Sequence, residues 1–138
     1  MGARGPIKAY QSNASVPTFT LASSSANTYG FPGSTPSVSA AGTTGGVVWT
    51  LDNGAYCTKQ SKACGPAVLH AHDATNVATE LWNSSMASGD VAGNAIKFTV
   101  PTVANGKVYI GTRGNNIGGV PGSTSVSGEL DVYGLKAH

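Results

Sequence analysis

Apolar residues fall in short runs along this chain, each closed off by Gly, Asn, Ser or Pro. No segment carries them at the spacing of a helix. Nine strands follow from that pattern, at about 6–10, 18–22, 36–40, 46–51, 67–73, 79–83, 98–103, 107–112 and 129–134. Runs such as Val47-Val48-Trp49 and Val108-Tyr109-Ile110 are β-branched and aromatic, which suits a pleated, half-buried surface. Asn105-Gly106 separates two of the runs. Both residues tolerate positive φ, so this dipeptide predicts a tight hairpin. The corresponding place earlier in the chain, Ala41-Gly42-Thr43-Thr44-Gly45-Gly46, predicts a longer glycine turn.

The strands repeat. Ile7-Lys8-Ala9-Tyr10, Leu69-His70-Ala71-His72 and Leu130-Asp131-Val132-Tyr133 are versions of one strand about 60 residues apart. Thr18-Phe19-Thr20 and Glu80-Leu81-Trp82 follow the first two versions at equal distances. Pro36-Ser37-Val38 and Pro101-Thr102-Val103 recur ahead of apolar strands. A repeat of this length, built only from short strands, predicts a stacked or radial all-β architecture in which each unit buries its faces against its neighbours.

Pro101-Thr102-Val103-Ala104-Asn105-Gly106-Lys107-Val108-Tyr109-Ile110-Gly111, Leu69-His70-Ala71-His72-Asp73 and Glu80-Leu81-Trp82 together resemble the PQQ-like repeat of quinoprotein alcohol dehydrogenase-like β-propellers. The similarity is to the C-terminal blades of a longer bacterial propeller. It implies one domain over 1–138: a partial blade at 6–22, a full four-stranded blade at 36–83 and a partial blade at 98–135. It also implies structural roles for Ala71, Asp73 and Trp82 in the docking of one blade on the next. Asn76-Val77 stands where that motif has Thr-Gly. About two and a quarter blades cannot circle on themselves, since propellers close with about four to eight. Exposed blade edges and an open apolar face then predict self-association, as a head-to-tail ring or a homodimer. Quinone binding needs the whole ring, so the resemblance implies neither dehydrogenase activity nor a cofactor.

Composition narrows the partners. Charged residues make up 10% of the 138 residues and the net charge is +2, with no basic run, so nucleic acid is not an expected partner. No stretch approaches the ~20 apolar residues of a membrane span. A polar, weakly charged surface suits a secreted or periplasmic protein. Met1-Gly2-Ala3-Arg4 leads straight into a strand, so the expectation is a removed leader or a segment of something longer. Cys57 and Cys64 share one polar loop, where a disulfide fits an oxidising compartment and two free thiols are the alternative. Their spacing does not suit zinc.

Long connections at about 23–35, 52–66, 84–97 and 113–128 would emerge on one face of such blades. Long loops on a rigid scaffold make a candidate binding surface. Its polar and aromatic residues are Tyr29, Tyr56, Lys59, Asp90, Asn94, Arg113, Asn115 and Asn116, a set suited to a carbohydrate or another polar small ligand. His70 and His72 lie two apart on a strand and so share a side. That arrangement suits a metal pair or an acid–base histidine. The repeat instead puts His72 in the column of Tyr10 and Tyr133, a packing position, and His70 in that of Lys8 and Asp131, a polar edge; no metal is expected. Asp73 is expected to hydrogen-bond to backbone. An alternative function is a small hydrolase of esters or sugars, with His70, His72, Asp90 and Arg113 as catalytic candidates.

Overall fold

The computed structural model describes residues 4–58, 64–113 and 128–134. Among these residues nine strands form three antiparallel sheets. The first sheet is a hairpin of β1 (Gly5–Asn13) and β2 (Thr18–Tyr29). The second runs β3 (Ser37–Ala41), β4 (Thr44–Asp52), β5 (Val68–Asp73) and β6 (Glu80–Asn83), in that order. The third holds β7 (Thr102–Ala104), β8 (Lys107–Thr112) and β9 (Glu129–Gly134). Among the described residues the only helical element is a 3-10 turn at Ser88–Asp90.

Seven of the nine strands lie close to their sequence-expected places, and the two exceptions have local causes. β2 continues to Tyr29 through Ser23, Ser24, Ser25 and Asn27, a stretch whose polarity reads as loop. It stays extended because it pairs with β1 along its length and its hydroxyls find partners: Ser25 Oγ accepts from Ile7 N on β1, and Ser23 Oγ accepts from Val77 N in the β5–β6 loop. β7 begins only at Thr102, since Phe98 sits at φ 65°, outside the extended region. Asn105 (φ 50°) and Gly106 (φ 70°) make the tight turn between β7 and β8. The expected longer glycine turn is shorter than its composition suggests, because β3 and β4 pair up to Ala41↔Thr44.

Register decides what each face of the second sheet meets. Trp49 lies opposite Ala71 and Leu51 opposite Leu69, so these four side chains share one face; Thr50 opposite His70 and Val48 opposite His72 share the other. The first face packs on the third sheet through Leu51, Leu69, Val108 and Ile110, with Trp49, Trp82 and Tyr133 at its margin. Burial of each large aliphatic side chain contributes roughly 1.5–3 kcal/mol. Ala67, Ala92 and Ala95 complete this core from the connecting loops. Ala67 N donates to Gly93 O at 2.9 Å and Ala95 N to Gly65 O at 2.8 Å, which laces the two loops together. The ring of Trp82 meets that of Tyr133 edge-on at 5.6 Å, on the neighbouring sheet. The edge strands β3 and β7 approach where Ser37 Oγ donates to the Pro101 carbonyl, just before β7.

The second face is different in kind. It meets β2 through hydroxyl, amide and imidazole groups. Beyond that contact the hairpin runs on into solvent, every residue from Tyr10 to Ala22 being exposed. Tyr10 pairs with Leu21 and Ser12 with Phe19, so Tyr10, Phe19 and Leu21 line one face of the projecting part.

Candidate functional site

Two groupings of functional side chains emerge, and the sequence-expected residues divide between them. The first is buried between β2 and the second sheet. Glu80 lies opposite His72 across the β5–β6 ladder, at a register shift, and its Oε1 is 2.6 Å from His70 Nδ1. Asn83 Nδ2 donates to the same oxygen at 3.1 Å, and Asn27 Nδ2 lies 3.3 Å from His70 Nδ1. The Tyr29 hydroxyl bridges Thr50 Oγ1 (2.8 Å) and His72 Nε2 (3.1 Å). The two imidazoles stack at 6.1 Å.

Tyr29, expected on an exposed loop, is therefore the buried last residue of β2. His70, expected at a polar edge, is also buried, because the polar face of β2 covers it. Burial pushes the His72 imidazole below the usual histidine range; Glu80 opposes that shift, His70 adds to it and the Val77 backbone opposes it weakly. Burial also acts to raise the Glu80 carboxyl. Hydrogen bonds from His70, Asn83 and Asn27, with the charge of His70, outweigh it, and the net shift is downward. Burial pushes the Tyr29 hydroxyl up to about 12, with Thr50 opposing and Glu80 and Asp52 adding.

The second grouping is a surface cleft of about 460 Å³ lined by Tyr56, Cys57, Ile96, Lys97, Thr112 and Arg113. Residues from the loops after β4 and β6 and from the end of β8 meet there, with Phe31 of the loop after β2 against Tyr56. Phe31 contacts Tyr56 at 6.2 Å and Phe98 at 6.5 Å, both edge-on. Lys97 Nζ stands 4.2 Å from the Tyr56 ring centre, a cation–π geometry. Arg113 follows β8, and its N–H donates to the Asn94 carbonyl at 2.8 Å. Tyr56 and Arg113 thus share a cleft with Asn94 at its edge. Asp90 lies elsewhere, its carbonyl accepting from the Tyr133 hydroxyl at 3.0 Å. Lys59, Asn115 and Asn116 lie outside the described residues.

Asp73 accepts from the N–H and hydroxyl of Thr75 at 2.7 and 2.6 Å. Those bonds, the hydroxyl first, hold its carboxyl below the ordinary range. It closes a local turn and is not poised for proton transfer. Cys57 and Cys64 are joined as a disulfide, compatible with an oxidising, extracellular location. Among the described residues no helix is long and apolar enough to cross a membrane.

Sequence reasoning passed over Glu80, Thr50 and Asn27, and, on the surface, Lys97, Phe31 and Phe98. The signal for Glu80 was its place in the Glu80-Leu81-Trp82 repeat, one ladder step from His-x-His. Phe31 and Phe98 were legible as large aromatics with no counterpart in the repeat. No family model, curated protein or solved structure matches the chain.

One pH dependence follows from the seam between the second and third sheets. Burial, with Asp131 adding and Ser84 opposing, pushes the Tyr133 hydroxyl up to about 12. A raised folded-state value means the neutral form is favoured on folding. The contribution is complete below the unfolded value near 10 and is lost as pH rises towards 12. We expect urea midpoints to fall between about pH 9 and about pH 11.5, and Tyr133→Phe to remove part of that fall, solvent screening at the half-buried ring keeping its share modest. An identical fall in the variant would assign it elsewhere.

Proposed function

We propose that this chain is a β-propeller-type binding and assembly module of the PQQ-like repeat kind, exported to an oxidising compartment. The observation that carries the reading is the order of the sheets: three antiparallel units stacked in chain order, with Trp82 of one against Tyr133 of the next. The proposed ligand face is the cleft at Tyr56, Lys97 and Arg113. Its flat aromatic ring suits the apolar side of a sugar. Its two cations favour, among polar ligands, one bearing a carboxylate or sulfate. Leu130 and Val132 are exposed on the outward face of the third sheet, while Phe19 and Leu21 are exposed on the hairpin at the other end. A second copy placed head to tail would cover both ends at once. The hydrolase alternative gains little support, since His70 and His72 are buried and Asp90 and Arg113 stand apart from them.

Sedimentation velocity and an acidic-glycan panel test this together. Expected are species larger than one chain, reduced to monomer by Leu130→Ser with Val132→Ser. Also expected is glycan binding weakened about tenfold or more by Arg113→Ala or Tyr56→Ala. A chain that stays monomeric at all concentrations and retains no glycan would overturn the proposal.

A further inference from the structure

We infer that His70, His72 and Glu80 form a binding site for a divalent transition-metal ion of the class that takes imidazole and carboxylate together, with Zn²⁺ as its representative. One ligand-capable atom from each of the three residues lies within 4.8 Å of the others. Ligands around a tetrahedral zinc stand about 3.3 Å apart at bond lengths near 2.0–2.1 Å, so small side-chain rotations close the set. The strand supplies the reason two histidines share a side, and the neighbouring rung of the ladder brings the carboxylate.

Two further observations favour a cation over simple polar packing. His72 is only 1% exposed, yet its Nδ1 meets no partner at full hydrogen-bond geometry, the Val77 backbone supporting the ring only weakly. A buried polar atom left unsatisfied costs roughly 1–3 kcal/mol, and it marks a ring with bonding capacity to spare. When the Tyr29 hydroxyl donates to Thr50, its oxygen accepts from His72 Nε2, and the imidazole is then the neutral tautomer that metals require. The second observation is an outer layer already in place. Tyr29 orients His72, and Asn83 and Asn27 hydrogen-bond the Glu80 carboxylate. Such partners fix ligand orientation in metal sites.

At His70 and Glu80 the ion replaces the proton shared across their 2.6 Å contact, and that proton leaves to solvent. Three protein ligands leave a coordination position for water. The site lies beneath β2, so ion binding adds to the cohesion of the first two sheets.

The test uses the full chain, stripped with a chelator and titrated with Zn²⁺ and Co²⁺. Expected are one ion per chain, a visible Co²⁺ absorption band, a raised melting temperature, and paramagnetic broadening of the His70 and His72 ring signals in the unmodified protein. Glu80→Gln and His70→Gln should weaken binding by about 100-fold or more, while Glu129→Gln, on the third sheet, leaves it unchanged. Absence of saturable binding up to about 1 mM, or binding that spares both ring signals and survives Glu80→Gln, would overturn the site; the ring signals decide the matter even where a variant fails to fold.

Discussion

Leu69→Ala and Ile110→Ala are each expected to lower folding stability by about 2–5 kcal/mol. Both side chains are wholly buried, one on β5 and one on β8, in the same apolar cluster. Truncating either leaves a void between two sheets that are each braced by their own ladders and cannot close over it freely. Leu130→Ala, at a position 64% exposed, is the internal control and should stay within about 0.5 kcal/mol in the monomer. Urea denaturation at fixed protein concentration reads all three. A loss below about 1 kcal/mol at both core positions would mean that the seam between the second and third sheets is not where the fold is held.

Opening the Cys57–Cys64 bond ranks next. The ring it closes is short, and a short ring corresponds to roughly 2–3 kcal/mol of lost chain freedom in the unfolded state. Its position adds a local effect. Cys57 lines the cleft beside Tyr56, and Gly65 N donates to Ala55 O at 3.0 Å within the same loop. Reduction, or Cys57→Ser with Cys64→Ser, should therefore lower the urea midpoint and also release the Tyr56 ring from Lys97. Stability with and without a thiol reductant, read beside Tyr56 fluorescence or ring NMR signals, checks both parts. Unchanged midpoints under full reduction would count against the first part; an unmoved Tyr56 would count against the second.

Much of the β framework was legible in the sequence because its punctuation is local. Asn105-Gly106 adopts the left-handed backbone that its composition demands, and strands bounded by Gly, Asn and Pro appear close to where those residues stand. β2 was read short because Ser and Asn signal a loop when judged alone. Their extended conformation depends on pairing with β1 and on His70 and the Val77 backbone, which meet Asn27 and Ser23 from 43 and 54 residues further along the chain, a partnership no window of sequence reveals. The same reason hid the buried cluster. His70 and His72 were visible as a pair, but Glu80 joins them only through a ladder with a register shift. On the surface, Tyr56 and Arg113 stand in separate loops, far apart in the sequence. Lys97 became relevant only when the folded chain brought it over the Tyr56 ring.

The two seams of the stack have opposite responses to their surroundings. Attraction across the seam of Leu51, Leu69, Val108 and Ile110 is insensitive to acid and weakens on cooling, as oily contacts do. The seam of Tyr29, Thr50, His70 and His72 depends on protons and on geometry. Mild acid, by charging the His72 imidazole that burial holds below the ordinary range, should loosen that joint first, the amino-terminal hairpin lifting like a page while the remainder of the book stays bound.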